Sequence, residues 1–309
     1  MERSSFSKGV FFAVSAYFIW GILPLYWKLL SAISPVHILS YRIIFSLFFV
    51  SFLLFAAKKT SWLTFYKDRR KTLLLVLAGL AISFNWGLYI WAVNNGRTIE
   101  TSLGYYINPL VSVALGLCFF REKLKTLQVI AFGFALAGVV ILTVFTGSLP
   151  WVSLALALTF GLYGMIKKTV KLSSLESLAV ETLVAFPLGL LLLFVSFDAN
   201  AGIGFSGLQG LSYLKELPFL TLGLLLLCGV VSSTPLYLFS QGAKILPLSA
   251  LGFFQFIAPT MSFLTGFFIF GEDFPPRNFI ALGFIWAAVI IYLVSLNPGR
   301  NLLPKPEKA

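Results

Sequence analysis

The chain has 309 residues, 59% of them apolar and only 11% charged, with a mean hydropathy of +0.93. Soluble domains run at about 45–50% apolar and about 25% charged residues, so an ordinary aqueous fold is excluded and the solvent is a bilayer. The formal charge of +12 sits between apolar runs, as KK at 58–59 and KDRRK at 67–71, a pattern of membrane topology that excludes a nucleic-acid-binding face.

The N-terminal MERSSFSKG is short and basic, and the apolar run after it ends in LPLYWKLL with no small-residue cleavage pattern. It is expected to be a retained first helix. Apolar runs at 8–28, 36–57, 72–94, 101–120, 126–145, 149–166, 174–197, 217–240, 247–270 and 278–296 predict ten transmembrane helices, because a backbone in lipid must satisfy its own hydrogen bonds. With the N-terminus inside, the cytoplasmic segments hold 18 Lys and Arg, including Lys167, Lys168 and Lys171 after span six, and the outer segments hold four. The bias predicts a multi-pass protein with both termini cytoplasmic.

The spans carry polar groups in particular places. Span one has Tyr17, Trp20 and Gly21; span two has Arg42 about two turns in. Span three offers Asn85, Trp86, Tyr89, Trp91, Asn94 and Asn95, with Asn85 and Tyr89 four apart on one face. Trp91 also suits the interfacial aromatic belt. Tyr163 lies in span six, Glu181 about two turns into span seven, and Ser233, Thr234, Pro235 and Tyr237 in span eight. A charge near mid-bilayer costs roughly 2.5–3.5 kcal/mol on insertion scales. Arg42 and Glu181 are therefore expected to face the interior and to pair or bind a charged solute group, with Glu181 also the candidate for proton coupling; snorkelling to the interface is the alternative. Cys118 and Cys228 are expected to be buried apolar side chains. With one histidine and no Cys/His cluster, neither a metal nor a cofactor is expected.

An internal match orders these features. Residues 109–144 align without a gap on 259–294, with 13 identities in 36 positions. They include Pro109/Pro259, Ser112/Ser262, Gly116/Gly266, Glu122/Glu272, Gly133/Gly283, Phe134/Phe284 and Ala137/Ala287. Coincident Pro, Gly and Glu are hard to obtain from apolar composition alone. The copies lie five spans apart and so run oppositely through the membrane; the basic FFREKLK is inside and its acidic counterpart FGEDFPPR outside. The expected fold is an all-α integral membrane protein. Ten transmembrane helices form two inverted five-helix repeats, 1–145 and 146–298, around a central cavity, with a cytoplasmic tail 299–309.

Prolines 109 and 259 are expected to kink spans four and nine, freeing the carbonyls of Tyr105 and Gln255. Freed backbone is tolerated where protein or a wet cavity receives it, so the two spans are expected to face each other across the cavity. Tyr105, Tyr106 and Asn108 would line one side; Phe253, Phe254 and Gln255 the other. A kink that only improves packing is the alternative. Trp20, Arg42, Asn85, Tyr89, Tyr237 and Glu181 complete the expected substrate-binding set. The duplicated small-residue pairs suit close helix packing, those of spans five and ten also a homodimer face.

The stretches AYFIWGILPLYWKL, YIWAVNN, SLGYYINPLVSVALG and ALGFFQFIAPT resemble the RarD proteins of the EamA-type drug/metabolite transporter superfamily, over about Lys8 to Leu296. The resemblance implies two five-helix EamA units, a bacterial cytoplasmic membrane and a permease role; family labels connect RarD to chloramphenicol sensitivity. The superfamily often has Gly-Glu where its fourth and fifth helices join, which Gly271-Glu272 matches and Arg121-Glu122 does not.

The expected function is a secondary transporter moving a small organic metabolite or drug by alternating access, with the substrate and membrane lipids as partners. An intramembrane enzyme acting on a lipid-linked substrate, with Glu181 and Arg42 catalytic, and a non-transporting scaffold or sensor are the alternatives. No G-x-x-x-x-G-K-[ST], H-E-x-x-H or G-x-S-x-G run occurs.

Overall fold

A computed structural model describes residues 3–59, 66–94, 98–146, 151–170, 172–198, 202–205, 217–271 and 275–296. The helices are α1 (Arg3–Leu29), α2 (Pro35–Ala56), α3 (Arg69–Asn94), α4 (Thr98–Phe120), α5 (Thr126–Thr146), α6 (Trp151–Thr169), α7 (Ser174–Leu192), α8 (Phe219–Ile245), α9 (Leu248–Gln255), α10 (Ile257–Leu264) and α11 (Asn278–Ser295). A π turn, Thr265–Ile269, continues α10. Eight described segments are long and apolar enough to cross a membrane; Gly104–Phe120 is a shorter apolar helix. Together they make this a multi-pass membrane protein. Glu272, Asp273, Asn95 and the expected tail 299–309 lie outside the described residues.

Local chemistry sets the ends. Asp68 accepts from the Lys71 backbone N–H at 3.1 Å ahead of α3, and that bond holds its carboxyl below the usual range. A capping box starts α7: Glu176 N–H donates to Ser173 Oγ at 3.3 Å, and Ser173 N–H to Glu176 Oε2 at 3.2 Å.

Two expectations change. Span seven, expected to run to 197, ends at Leu192; Val195–Asp198 instead pairs antiparallel with Gly202–Phe205. Among the described residues the fold is thus helical with one short antiparallel strand pair, β1–β2, because Val195 and Phe197 favour a strand. Cys118 is exposed on α4, whereas Cys228 is buried as expected.

The helix pairings have a regular form. Helix α4 packs on α9 and α10, with Gly116 against Ser249, Pro109 against Gly252 and Tyr106 against Pro259. One index rises as the other falls, so the two run antiparallel. Helix α5 packs antiparallel on α11: Phe134 meets Phe284 at 5.7 Å between ring centroids, Gly138 abuts Ala281 and Ile285, and the Arg277 guanidinium lies 5.9 Å from the Phe145 ring. Close approach here uses Gly138, where an added Cβ would stand 2.8 Å from the Ala281 carbonyl oxygen. At Gly133 and Gly283, expected at the packing face, an added Cβ would meet nothing within 4 Å among the described residues.

Candidate functional site

Arg42 stands in an aromatic slot. Its guanidinium carbon lies 4.6 Å from the Trp27 ring on α1 and 4.8 Å from the Trp86 ring on α3, within the range of cation–π attraction. Nε donates to Ser232 Oγ on α8 at 3.0 Å. That contact needs α2 and α8 to approach closely. Gly229 provides for it, since a Cβ there would fall 2.3 Å from the Phe45 backbone. Tyr89 and Tyr105 stack obliquely at 5.8 Å, near enough to act on the Arg42 charge. Tyr105 keeps 41% of its surface exposed. Four helices and the start of α4 therefore converge on one cation.

Glu181 is placed elsewhere. It was expected to share the cavity with Arg42, but it is 2% exposed and fully engaged inside the second half of the chain. Oε1 accepts from Lys167 Nζ at 2.7 Å and from Ser177 Oγ at 2.7 Å; Oε2 accepts from Tyr163 OH at 2.9 Å. Lys167 Nζ also donates to Ser177 Oγ at 2.7 Å. Lys167, expected in a cytoplasmic segment, is thus a buried partner at the end of α6. Burying either charge alone would be costly; together they satisfy one another.

The two prolines differ. A break at Phe256, whose N–H reaches back to Phe253 at 3.4 Å, separates α9 from α10 one turn before Pro259. Helix α4 instead continues unbroken through Pro109. Where α4 meets α9 and α10 the contact is direct: Ser112 Oγ donates to Gln255 Oε1 at 3.2 Å, and Tyr106 OH to the Pro259 carbonyl at 3.4 Å. Gln255 is buried at this seam; Asn108 is buried as well, and among the described residues its Oδ1 has no partner.

The remaining expected residues scatter. Asn85 Nδ2 donates to the Leu156 carbonyl and to Thr159 Oγ1, both at 2.8 Å, tying α3 to α6. Trp20 belongs to an aromatic cluster with Tyr17, Phe160 and Phe239, at 5.6, 5.7 and 5.8 Å. Tyr237 OH accepts from Gln241 Nε2 at 2.9 Å on its own helix. The structure therefore brings Arg42, Tyr89 and Tyr105 together with Trp27, Trp86 and Ser232.

Glu122, the position matched by Glu272, belongs to none of the expected sites. Its Oε1 accepts from Leu248 N–H at 2.7 Å, and its Oε2 from Ser249 N–H at 2.8 Å and Ser249 Oγ at 2.6 Å. The carboxylate so caps α9, where unpaired amides and the helix dipole favour an anion. Lys168 Nζ stands 3.6 Å away and donates to the Leu246 carbonyl at 2.5 Å. Arg121 takes φ 52° and Gly271, its counterpart, φ 66°. The non-glycine residue adopts the left-handed conformation that its glycine counterpart also takes.

Residues 7–144 match the model of the EamA-like transporter family. The chain is 42% identical over 300 residues to a protein of Bacillus subtilis (strain 168) named uncharacterized transporter YojE, covering 96% of each. It is 35% identical to the protein RarD of Escherichia coli (strain K12), covering 95% of this chain and 96% of that one, and 39% identical to the RarD of Streptomyces exfoliatus, covering 92% and 87%. A solved crystal structure superposes with a TM-score of 0.70 over 94% of this chain and 97% of its own, at 18% identity, a likeness of fold. With RarD and YojE as relatives along nearly its whole length, the chain belongs to the EamA-like transporter family.

Proposed function

We propose that the chain is a secondary transporter, moving a small organic solute across the bacterial cytoplasmic membrane by alternating access between two inverted repeats, 1–145 and 146–298. The observation that carries this reading is the antiparallel packing of α4 on α9–α10 and of α5 on α11. These are the segments that the 150-residue match makes equivalent. Other pairings also occur in twos: α1 on α8 and α3 on α6; α2 on α8 and α3 on α7; α1 on α10 and α4 on α6. Exchanging the halves leaves that set unchanged, as a two-fold axis in the membrane plane requires.

In this reading the Glu122–α9 contact closes the cytoplasmic end and the protein opens outward beside Tyr105. Rocking one repeat against the other would break the Glu122 bonds and close the aromatic slot over a solute at Arg42. The charge bias supports cytoplasmic termini, and the family supports a transport role.

The test is counterflow of labelled solutes into proteoliposomes, with mass spectrometry of the recovered solute. Accumulation of unchanged solute, lost in Arg42→Gln, supports the reading. Conversion of the solute without accumulation supports the intramembrane enzyme instead.

A further inference from the structure

Among the described residues the guanidinium of Arg42 has one hydrogen bond, from Nε to Ser232, and its carbon lies within 5 Å of two indole rings. Among the described residues its two terminal nitrogens have no acceptor, and no carboxylate lies within ion-pairing distance of it. The contrast within the chain is informative. The other deeply placed cation, Lys167, has its carboxylate at 2.7 Å and a hydroxyl besides. A cation within a membrane-spanning helix without a counter-charge is unfavourable, and the fold holds this one by Ser232, Trp27 and Trp86.

We propose that Arg42 is the anchor for the carboxylate of an organic monoanion carrying an aromatic or other flat apolar body. This rests on the transporter reading and names its substrate class. The chemistry follows from the slot. Cation–π contact with Trp27 and Trp86 and the Ser232 bond fix the guanidinium plane, leaving its terminal N–H groups free. Those donors form the fork that binds a carboxylate through two parallel hydrogen bonds. One fixed positive charge balances one negative charge, so a monocarboxylate fits better than a phosphate dianion. Tyr105, 5.8 Å from Tyr89 and 41% exposed, supplies an accessible aromatic surface for the solute's body. The unpaired arginine thus selects for the anion, because a cationic solute would bring a second uncompensated charge into the slot.

The experiment uses the full-length protein in detergent and three matched probes: benzoate, benzamide and benzylamine. Thermal unfolding is followed against probe concentration, with phenyl phosphate and chloride as further arms. Benzoate is expected to raise the midpoint with the logarithm of its concentration, and the amide and amine are not. In Arg42→Gln the benzoate dissociation constant rises by roughly 10- to 100-fold. Each variant is read against its own probe-free baseline, so a change in basal stability does not obscure the result. Arg42→Lys keeps the charge and loses the fork, and is expected to fall between the two. A benzoate shift equal in wild type and Arg42→Gln overturns the proposal, as does no benzoate shift, or a stronger one with benzamide or benzylamine. A stronger shift with phenyl phosphate, or an equal one with chloride, overturns the monocarboxylate assignment. Flux separates this inference from the one beneath it. Carriage of neutral or cationic solutes alone sinks the anion site and spares the transporter; Arg42-dependent benzoate binding with no flux of any solute does the reverse.

Discussion

Phe134 and Phe284 are 150 residues apart in the sequence, and their rings meet at 5.7 Å. They are equivalent positions of the internal match, so a two-fold axis relating the copies would pass between them. The helices that carry them run antiparallel, with Gly138 beside Ala281 and Phe145 under Arg277. The segments that follow α4 and α10 in their respective copies should then lie on opposite sides of the membrane. In a background with Cys118 and Cys228 replaced by alanine, a membrane-impermeant maleimide should label Arg277→Cys in intact cells. It should reach Lys125→Cys only after permeabilisation. Labelling of both from outside would end the inverted arrangement.

Arg121 and Gly271 offer a paired test of backbone strain. Both take positive φ, 52° and 66°. A left-handed conformation costs an L-residue roughly 1–2 kcal/mol, partly offset because glycine loses more entropy on folding. Arg121→Gly should therefore stabilise the protein by about 0.5–1 kcal/mol. Gly271→Ala should destabilise it by about 1 kcal/mol, and steric clash does not enter, since a Cβ there meets nothing within 4 Å. Unfolding in mixed detergent micelles gives both signs.

The membrane fold was legible because apolar runs of bilayer length have few other uses. The charged interior was less so. Lys167 counts as a loop charge beside Lys168, and only the fold of α6 onto α7 brings its ammonium to Glu181, 14 residues on. The Arg42 slot was half visible: Arg42, Tyr89 and Tyr105 stand out as polar groups in apolar runs. Trp27 and Trp86, however, could equally have joined an interfacial belt, and Ser232 is one small residue among several. Proline alone predicted two kinks and the helices show one break, because neighbouring backbone decides whether the turn before a proline tightens. Gly133 and Gly138 are indistinguishable by spacing, and only the side of α5 that meets α11 separates them.

Glu122 ties the end of α4 to the first turn of α9, and Gly116 makes room for it. An added Cβ at Gly116 would lie 2.6 Å from Glu122 Oε2 and 3.0 Å from Ser249 N. Hydrogen bonds to a charged acceptor contribute roughly 1.5–3 kcal/mol. Glu122→Ala should accordingly speed amide exchange at Leu248 and Ser249 by about 10-fold or more. Gly116→Ala should do the same while leaving the carboxylate in the chain. Lys168→Met should have the smaller effect, since its ammonium stands 3.6 Å from the carboxylate while the two α9 amides bond it directly. Unchanged exchange in both Glu122→Ala and Gly116→Ala would remove Glu122 as the tie between the halves.

The Lys167–Glu181 pair bears on how transport variants are interpreted. Each side chain is almost fully buried, and removing one strands the other: Glu181→Gln leaves an ammonium in a dry site, and Lys167→Met leaves a carboxylate. Either change should cost about 3–5 kcal/mol, whereas replacing both by apolar groups of similar size is often neutral or stabilising. The double variant Lys167→Met/Glu181→Leu should thus unfold within about 1–2 kcal/mol of wild type, the remaining penalty coming from Tyr163 OH and Ser177 Oγ, which lose their acceptor. The same double variant decides whether Glu181 couples protons. If it regains stability and also flux with unaltered pH dependence, the pair is structural, and the loss in Glu181→Gln reflects a damaged fold. If it regains stability while flux no longer responds to a pH gradient, Glu181 carries the proton.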